Sequence, residues 1–398
     1  MNKPCYLSGL GIINALGSGA SEVSTKLLTG DTSGMVLEDG LLLTGRARIG
    51  RVQGPLEVVP TQLQHFNSRN NQLLLTAFVQ IESLVKAAIN RYGQSRIGIV
   101  LGSSTSGIAE GEAAIAAQHH TGSMPAEYCY TQQEIGSAAV FLAHFLKVSG
   151  PAYTVSNACT SSAKAFQSAR NLLRHGICDA VIVGGVDTLC RTTINGFASL
   201  ESITAEHTNP MSINRRGINI GEGAALFLLT QQPSEIVLLG IGETSDAYHM
   251  SAPHPEGRGA EQAMRLALQD AEVEADAIGY LNLHATATIK NDEMESLAVA
   301  RVFPNGVPCS GTKPLTGHTL GAAGATELAF CVLAMQANQL PPHVWDEQAD
   351  PSLPCLKLIG KTQKLMERTF IDNSRRICMT NSFAFGGSNT SLVIGENR

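Results

Sequence analysis

At 398 residues, 43% hydrophobic and 16% charged, the chain can bury a sizeable core and exceeds one ordinary domain, so two domains or one duplicated core is expected. A net charge of −6, with Lys and Arg scattered rather than run together, excludes a nucleic-acid or anionic-membrane binder and leaves room for only a local basic patch toward an acidic partner. No apolar run of membrane-spanning length and no leader-like segment at MNKPCYLSGLGI is expected, and nine dispersed cysteines without a CxxC pair exclude a disulfide framework or zinc site, which predicts a cytoplasmic protein without membrane insertion.

Apolar, strand-like runs come first at 6–13, 97–101, 152–155, 180–183 and 225–229, with helix-like segments at 71–90, 135–146 and 159–175 between them. Strands alternating with helices of this length imply crossover units and a largely parallel, helix-covered α/β sheet. The pattern then restarts with strand 235–241, helix 259–272, strand 280–284 and helix 292–302. A strand-like 307–310 leads through a turn into helix 321–336, and a hairpin over 377–383 and 391–394 closes the chain.

The halves correspond in detail. HFLKVSG before AYTVSNAC in the first half answers VARVFPNG before VPCSGTKPLTGH in the second, and GEGAALFLLT closes one half as GGSNTSLVIGE closes the other. This reads as an internal duplication with its seam near 231–235, dividing the chain into residues 1–232 and 233–398. It places Cys159 and His318 at pseudo-equivalent strand-to-helix junctions of neighbouring sheets, where active sites of open α/β sheets collect.

Between 153 and 175 an extended, β-branched entry gives way to small residues around Cys159, and then Ala163, Phe166, Ala169, Leu172 and Leu173 recur at helical spacing. A cysteine just before a helix N-terminus gains from unpaired N–H groups and the helix dipole, which lower a thiol's pKa; it is equally a small core residue. Three loops in the second half supply what a thiolate enzyme needs. LNLHATATIKND sets His284 after a strand, with Thr286, Thr288 and Asp292 behind it. SGTKPLTGH sets Lys313 and His318 five residues apart across a turn, and NSFAFGGSNTS carries Gly386 and Gly387, which let a backbone approach a ligand. Singly, each histidine could be a structural residue and each loop a plain turn.

NACTSS, LHATAT followed by ND, GTKPLTGHTLGAAGATE and NSFAFGGSN together resemble the β-ketoacyl-acyl-carrier-protein synthases, the elongating condensing enzymes of the thiolase fold. SDAYHMSAP and RRGINIGEGAA resemble further segments of that family, so the likeness covers almost the whole chain in the family's order. It implies a thiolase-like α/β fold, duplicated and layered α-β-α-β-α. It further implies Cys159 as acyl-accepting nucleophile, His284 and His318 as stabilisers of a malonyl-derived enolate, and the Cys159 and Phe385 backbone N–H groups as oxyanion donors. Phe385 would also gate the second substrate, Lys313 and Glu327 would form a supporting pair, and Thr286 and Thr288 would bind the carrier's pantetheine arm. Asn389 falls on the same pattern as a substrate-binding residue, and Ile108 lies where family members line the acyl tunnel.

The resemblance implies no metal or cofactor, an acyl carrier protein as partner, and a homodimer or a heterodimer with a homologous subunit. Arg170, Arg174, Arg215 and Arg216 are candidates for a basic rim facing the carrier, or simply solvated surface arginines. Where the family usually has glycine this chain has Ala285, Ala287 and Ala384, which predicts stiffer or differently shaped loops and suggests a specialised condensing enzyme of polyketide or aryl-polyene type. A thiolase would offer a second cysteine in the C-terminal glycine-rich loop, a starter-condensing relative an asparagine where His318 stands, and a non-catalytic chain-length-determining subunit would lack the cysteine.

Overall fold

The structure is a computed structural model that describes residues 3–360, 369–370 and 375–397. In chain order the first half contains β1 (Cys5–Asn14), β2 (Gly17–Ser18), α1 (Ala20–Thr29), β3 (Met35–Glu38), β4 (Ala47–Gly50), α2 (Arg69–Val79), α3 (Glu82–Tyr92), β5 (Ile97–Gly102) and α4 (Ile108–Thr121). It continues with α5 (Ser137–Leu146), β6 (Ala152–Val155), α6 (Ser161–Arg174), β7 (Ala180–Asp187), α7 (Arg191–Ser199), β8 (Ile220–Gly221) and β9 (Gly223–Thr230). The second half contains β10 (Ile236–Ser245), α8 (Arg258–Ala271), β11 (Tyr280–Leu283), α9 (Ile289–Val302), β12 (Pro308–Gly311), α10 (Lys313–Thr316), α11 (Ala323–Ala337), β13 (Lys357–Leu358), β14 (Ile377–Ala384) and β15 (Ser388–Glu396).

Twelve strands form one sheet, eleven of them in the order β13-β12-β11-β14-β15-β10-β1-β9-β7-β5-β6 with β2 hanging from β1, and β3-β4-β8 form a separate three-stranded sheet. The sequence predicts two neighbouring sheets; the antiparallel β1–β10 pair, at Cys5–Leu238, Tyr6–Val237 and Leu7–Ile236, joins them. Outward from that pair the order is β9-β7-β5-β6 on one side and β15-β14-β11-β12-β13 on the other. Each side pairs its first strand antiparallel to the second and the remaining strands in parallel.

Alternation along the strands sets the layers. Val181 and Val183 of β7 face a central cluster with Phe166 of α6 and Phe330 of α11, whereas Ala180 and Ile182 face an outer cluster with Phe78 of α2 and Phe141 of α5. Helix α6 packs on β5 and β7 and reaches β15, and α11 packs on β14 and reaches β7 and β9, so these two helices fill the space between the halves. Helices α8 and α9 cover the outer face of the second half. The result is the α-β-α-β-α arrangement.

Three differences from the sequence reading have physical causes. The predicted 71–90 helix is two helices bent by 77°, because Gln80 turns at the break to exchange hydrogen bonds with the Ile12 backbone, at 2.9 and 3.1 Å. The stretch Leu320–Ala337 is long and apolar enough to cross a membrane, contrary to expectation, but 89% of it is buried, as befits the helix at the centre of five layers. Helix α4, IAEGEAAIAAQHHT, was not predicted because its apolar positions are mostly alanine and draw no stripe.

Candidate active site

Cys159 lies between β6 and α6, two residues before the helix, and the preceding Ala158 takes a left-handed φ of 44° that presents the cysteine at the junction. At Gly102, the end of β5, a Cβ would stand 2.2 Å from the Ser162 nitrogen, so only glycine lets the strand pass this close to the helix start. His318 reaches the same place from the other half. Its N–H donates to the Asn219 carbonyl at 2.7 Å and its carbonyl accepts from Gly221 N–H at 3.0 Å, which fixes the turn between α10 and α11.

The two side chains meet: His318 Nε2 is 2.9 Å from Cys159 Sγ. The His284 ring stands edge-on to that of His318, with centroids 5.4 Å apart at 85°. All three are buried at the base of a cavity of about 470 Å³ that Thr286, Thr288, Phe385 and Asn389 also line. Thr286 and Thr288 bond each other through their hydroxyls at 2.9 Å. The Asn389 amide donates to Asp246 Oδ1 at 2.8 Å, and Gly386 and Gly387, at φ 85° and 76°, turn the chain from β14 into β15 beside it.

Lys313 and Glu327 lie behind the histidines, off the cavity wall. The Lys313 ammonium is 2.5 Å from Glu327 Oε1, donates to the His284 carbonyl, and stands 3.4 Å from His284 Nδ1. A cation against Nδ1 leaves the lone pair there and the proton on Nε2, so His284 presents an N–H toward the cavity. Burial, and then the Lys313 charge, hold both histidines well below the usual imidazole range, so both are neutral.

The thiol departs from expectation. Burial pushes Cys159 up to about 12, and the Lys313 charge and the Phe385 backbone N–H offset only part of that. The helix terminus does not yield a resting thiolate because desolvation of a fully enclosed sulfur outweighs a partial dipole charge. Cys159, His284 and His318 offer three ligand atoms within 4.8 Å of one another, a set that could hold a thiophilic metal. The ammonium against His284 Nδ1 opposes a cation there.

Several sequence expectations fail locally. Ile108 opens α4 and does not line the cavity; its apolar wall is made by Phe197, Leu200 and Ile218, with the Phe197 and Phe385 rings 5.3 Å apart. Arg170 and Arg215 are buried and paired, to Asp270 and Asp350 at 2.5 Å each, so neither is a free rim charge. Arg174 is half-buried beside Arg170, leaving Arg216, exposed at the cavity mouth with Lys290. Ala285 and Ala287 adopt the left-handed conformation despite their Cβ atoms, at φ 40° and 60°, so the loop keeps the shape glycine would give it. Ala384 is not left-handed and imposes nothing.

Glu295 was not singled out from sequence. Its two carboxylate oxygens accept the His284 and Ala285 N–H groups, both at 2.7 Å, while Asp292 accepts from Ala287 at 3.2 Å and from Met211 at 2.8 Å. The signal available was the three-residue spacing of Asp292 and Glu295, which puts both on the face of α9 beneath the loop.

Residues 60–234 match the description "Beta-ketoacyl synthase, N-terminal domain" and residues 236–345 "Beta-ketoacyl synthase, C-terminal domain". Among solved structures, the chain is similar to the ketosynthase ApeO, solved in complex with its chain length factor ApeC from Xenorhabdus doucetiae. That likeness is 45% identity over 99% of this chain and 98% of that one, with a TM-score of 0.94. Among curated relatives, Nodulation protein E of Rhizobium leguminosarum bv. trifolii is 33% identical over 65% of each chain. The 3-oxoacyl-[acyl-carrier-protein] synthase 2 of Rhizobium meliloti (strain 1021) is 31% identical over 62% of this chain and 61% of its own. The matches to these two thus span somewhat under two thirds of the relatives' length.

Proposed function

The chain belongs to the β-ketoacyl synthase family, and on that premise we propose that it performs a decarboxylative Claisen condensation on carrier-bound acyl groups. The observation that carries the reading is the convergence of Cys159, His284 and His318, from two halves of the chain, on one cavity. In the first stage the Cys159 sulfur attacks a carrier thioester. Because the thiol is neutral at rest, its proton moves to His318 Nε2 as the new C–S bond forms and passes on to the departing carrier sulfur. The Cys159 and Phe385 backbone N–H groups serve the tetrahedral oxyanion.

In the second stage malonyl carrier loses CO₂, and the electron pair of the broken C–C bond passes into an enolate. His284, neutral with its proton on Nε2, donates that N–H to the enolate oxygen; His318, whose Nδ1 has no hydrogen-bond partner among the described residues, shifts its proton to Nε2 once Cys159 is acylated and donates the second. The enolate carbon attacks the acyl-cysteine carbonyl, the C–S bond breaks, and the Cys159 thiolate so released takes a proton from water. Lys313 and Glu327 hold His284 and do not react, and Thr286, Thr288 and Asn389 bind the pantetheine arm on which acyl groups arrive, so no metal or other cofactor is invoked.

The proposed partners are an acyl carrier protein and, by likeness to ApeO with its chain length factor, a homologous subunit in a heterodimer. A cytoplasmic setting suits nine free cysteines. The likeness to ApeO also favours a specialised polyketide or aryl-polyene pathway over housekeeping fatty-acid synthesis.

Intact mass after incubation with acyl carriers tests the reading. Wild type gains one acyl group on Cys159; Cys159→Ala gains none yet still decarboxylates malonyl carrier. His318→Ala loads acyl groups, more slowly, and loses condensation by about 10²–10⁴-fold. Loading of Cys159→Ala would sink the nucleophile assignment, and a preference for saturated medium-to-long chains would sink the specialised pathway.

A further inference from the structure

We propose that Asp187, which lies outside the cavity lining, is a positioning residue that sets the contact between Cys159 and His318 across the two halves of the chain. The inference rests on the reading of those two residues as nucleophile and proton acceptor.

Cys159 belongs to the first half and His318 to the second, so their 2.9 Å contact needs a tie between the halves close to the site. Asp187, at the end of β7, is fully buried and makes that tie. Its Oδ1 accepts from Ser103 Oγ at 2.9 Å, Ser104 N at 2.8 Å, Thr105 N at 2.7 Å and Thr105 Oγ1 at 2.7 Å. Its Oδ2 accepts from Ala322 N at 3.0 Å. On the first side the arm continues to the nucleophile: Ser104 Oγ donates at 3.2 Å to the carbonyl of Ala158, the left-handed residue immediately before Cys159. On the second side Ala322 lies one turn beyond His318, after the left-handed Leu320. The backbone rides directly on the carboxylate here. A Cβ at Gly321 would stand 2.7 Å from both Asp187 Oδ2 and Ser104 Oγ.

A carboxylate suits this place because it alone offers two acceptor oxygens. Asparagine has one, so its NH₂ must face either Ala322 N–H or the Ser103–Thr105 donors, and one arm breaks. The shape of the side chain is otherwise unchanged.

The test is alkylation of Cys159 by iodoacetamide in the full chain without substrate, followed by mass across pH, in wild type, Asp187→Asn and Ser104→Ala. Removing the negative charge alone makes the thiol easier to ionise and speeds alkylation, because Asp187 opposes the Cys159 thiolate. Losing the His318 contact slows it. The expected result is alkylation several-fold slower near pH 7 in Asp187→Asn, a smaller slowing in the charge-neutral Ser104→Ala, and an equal fall in acyl loading. Alkylation unchanged or faster in folded Asp187→Asn overturns the proposal; if that variant does not fold, an unmoved Ser104→Ala profile overturns it. Failure of wild type to load acyl groups would instead overturn the functional reading, leaving the alkylation comparison standing.

Discussion

Cys159 and the two histidines share one enclosed, low-dielectric pocket, so every charged state there is more expensive than in water and the neutral forms prevail at rest. The one cation admitted, Lys313, is answered by Glu327 and by the His284 carbonyl, and its position fixes the His284 tautomer. A third histidine works by the same physics away from the cavity. His343 accepts from Gly311 N–H at Nδ1, 2.9 Å, and donates from Nε2 to the Pro210 carbonyl, 3.0 Å, bracing the strand end that precedes Lys313. Burial lowers it from 6.5 to about 4. The folded state therefore binds its proton later than the unfolded chain does, so the stability it contributes is complete above pH 6.5 and is lost as pH falls toward 4. The loss between pH 7 and 5 is about 2 kcal/mol. Buried Asp187, Asp292 and Glu295, each raised by burial, act in the opposite sense. Urea unfolding of wild type against His343→Gln at the two pH values isolates the histidine: wild type loses more, and parallel losses would refute its role.

Among the elements, the β12 end and the His284 loop are packed without slack. A Cβ at Gly311 would lie 2.4 Å from the Ala285 Cβ, closer than real Cβ atoms approach. Gly311→Ala alone is expected to destabilise by about 1–3 kcal/mol through overpacking. Ala285→Gly frees that space and relieves a left-handed alanine, so the double variant should recover most of the loss, a coupling that thermal unfolding of the four chains reads directly. Additive losses would mean the loop relaxes by another route. This pairing also marks where sequence reading stops. Strands β5, β7 and β9 were legible because continuous apolar runs leave few alternatives, and Cys159, His284 and His318 because chemistry-bearing residues stood at strand ends. That Ala285 keeps a glycine's conformation was not, since the sequence shows the methyl and not the Glu295 carboxylate that holds the His284 and Ala285 N–H groups. Nor was the ion pairing of Arg215 with Asp350, which spans 135 residues of chain.

For the whole molecule, the dimer proposed above bears on the cavity through α4. Ile115, Met124, Tyr130, Ile135 and Val140, from 38% to 64% exposed, put five large apolar side chains on the surface within residues 115–140, more than an isolated protein needs there. A homologous subunit is the occupant that the likeness to ApeO with its chain length factor favours. The same helix reaches inward: Glu112 of α4 accepts the Arg191 and Thr192 N–H groups at 3.0 and 2.6 Å, capping the start of α7, and α7 carries Phe197 to the cavity wall against Phe385. A partner seated on α4 is thus one helix removed from the apolar wall of the cavity. Ile115→Asp combined with Tyr130→Asp should therefore give a monomer by light scattering that still loads Cys159 but discriminates less among chain lengths. A variant that stays dimeric would rule out this surface as the interface. A monomer with unchanged chain-length preference would show instead that the Phe197 wall is set within the chain, independently of any partner.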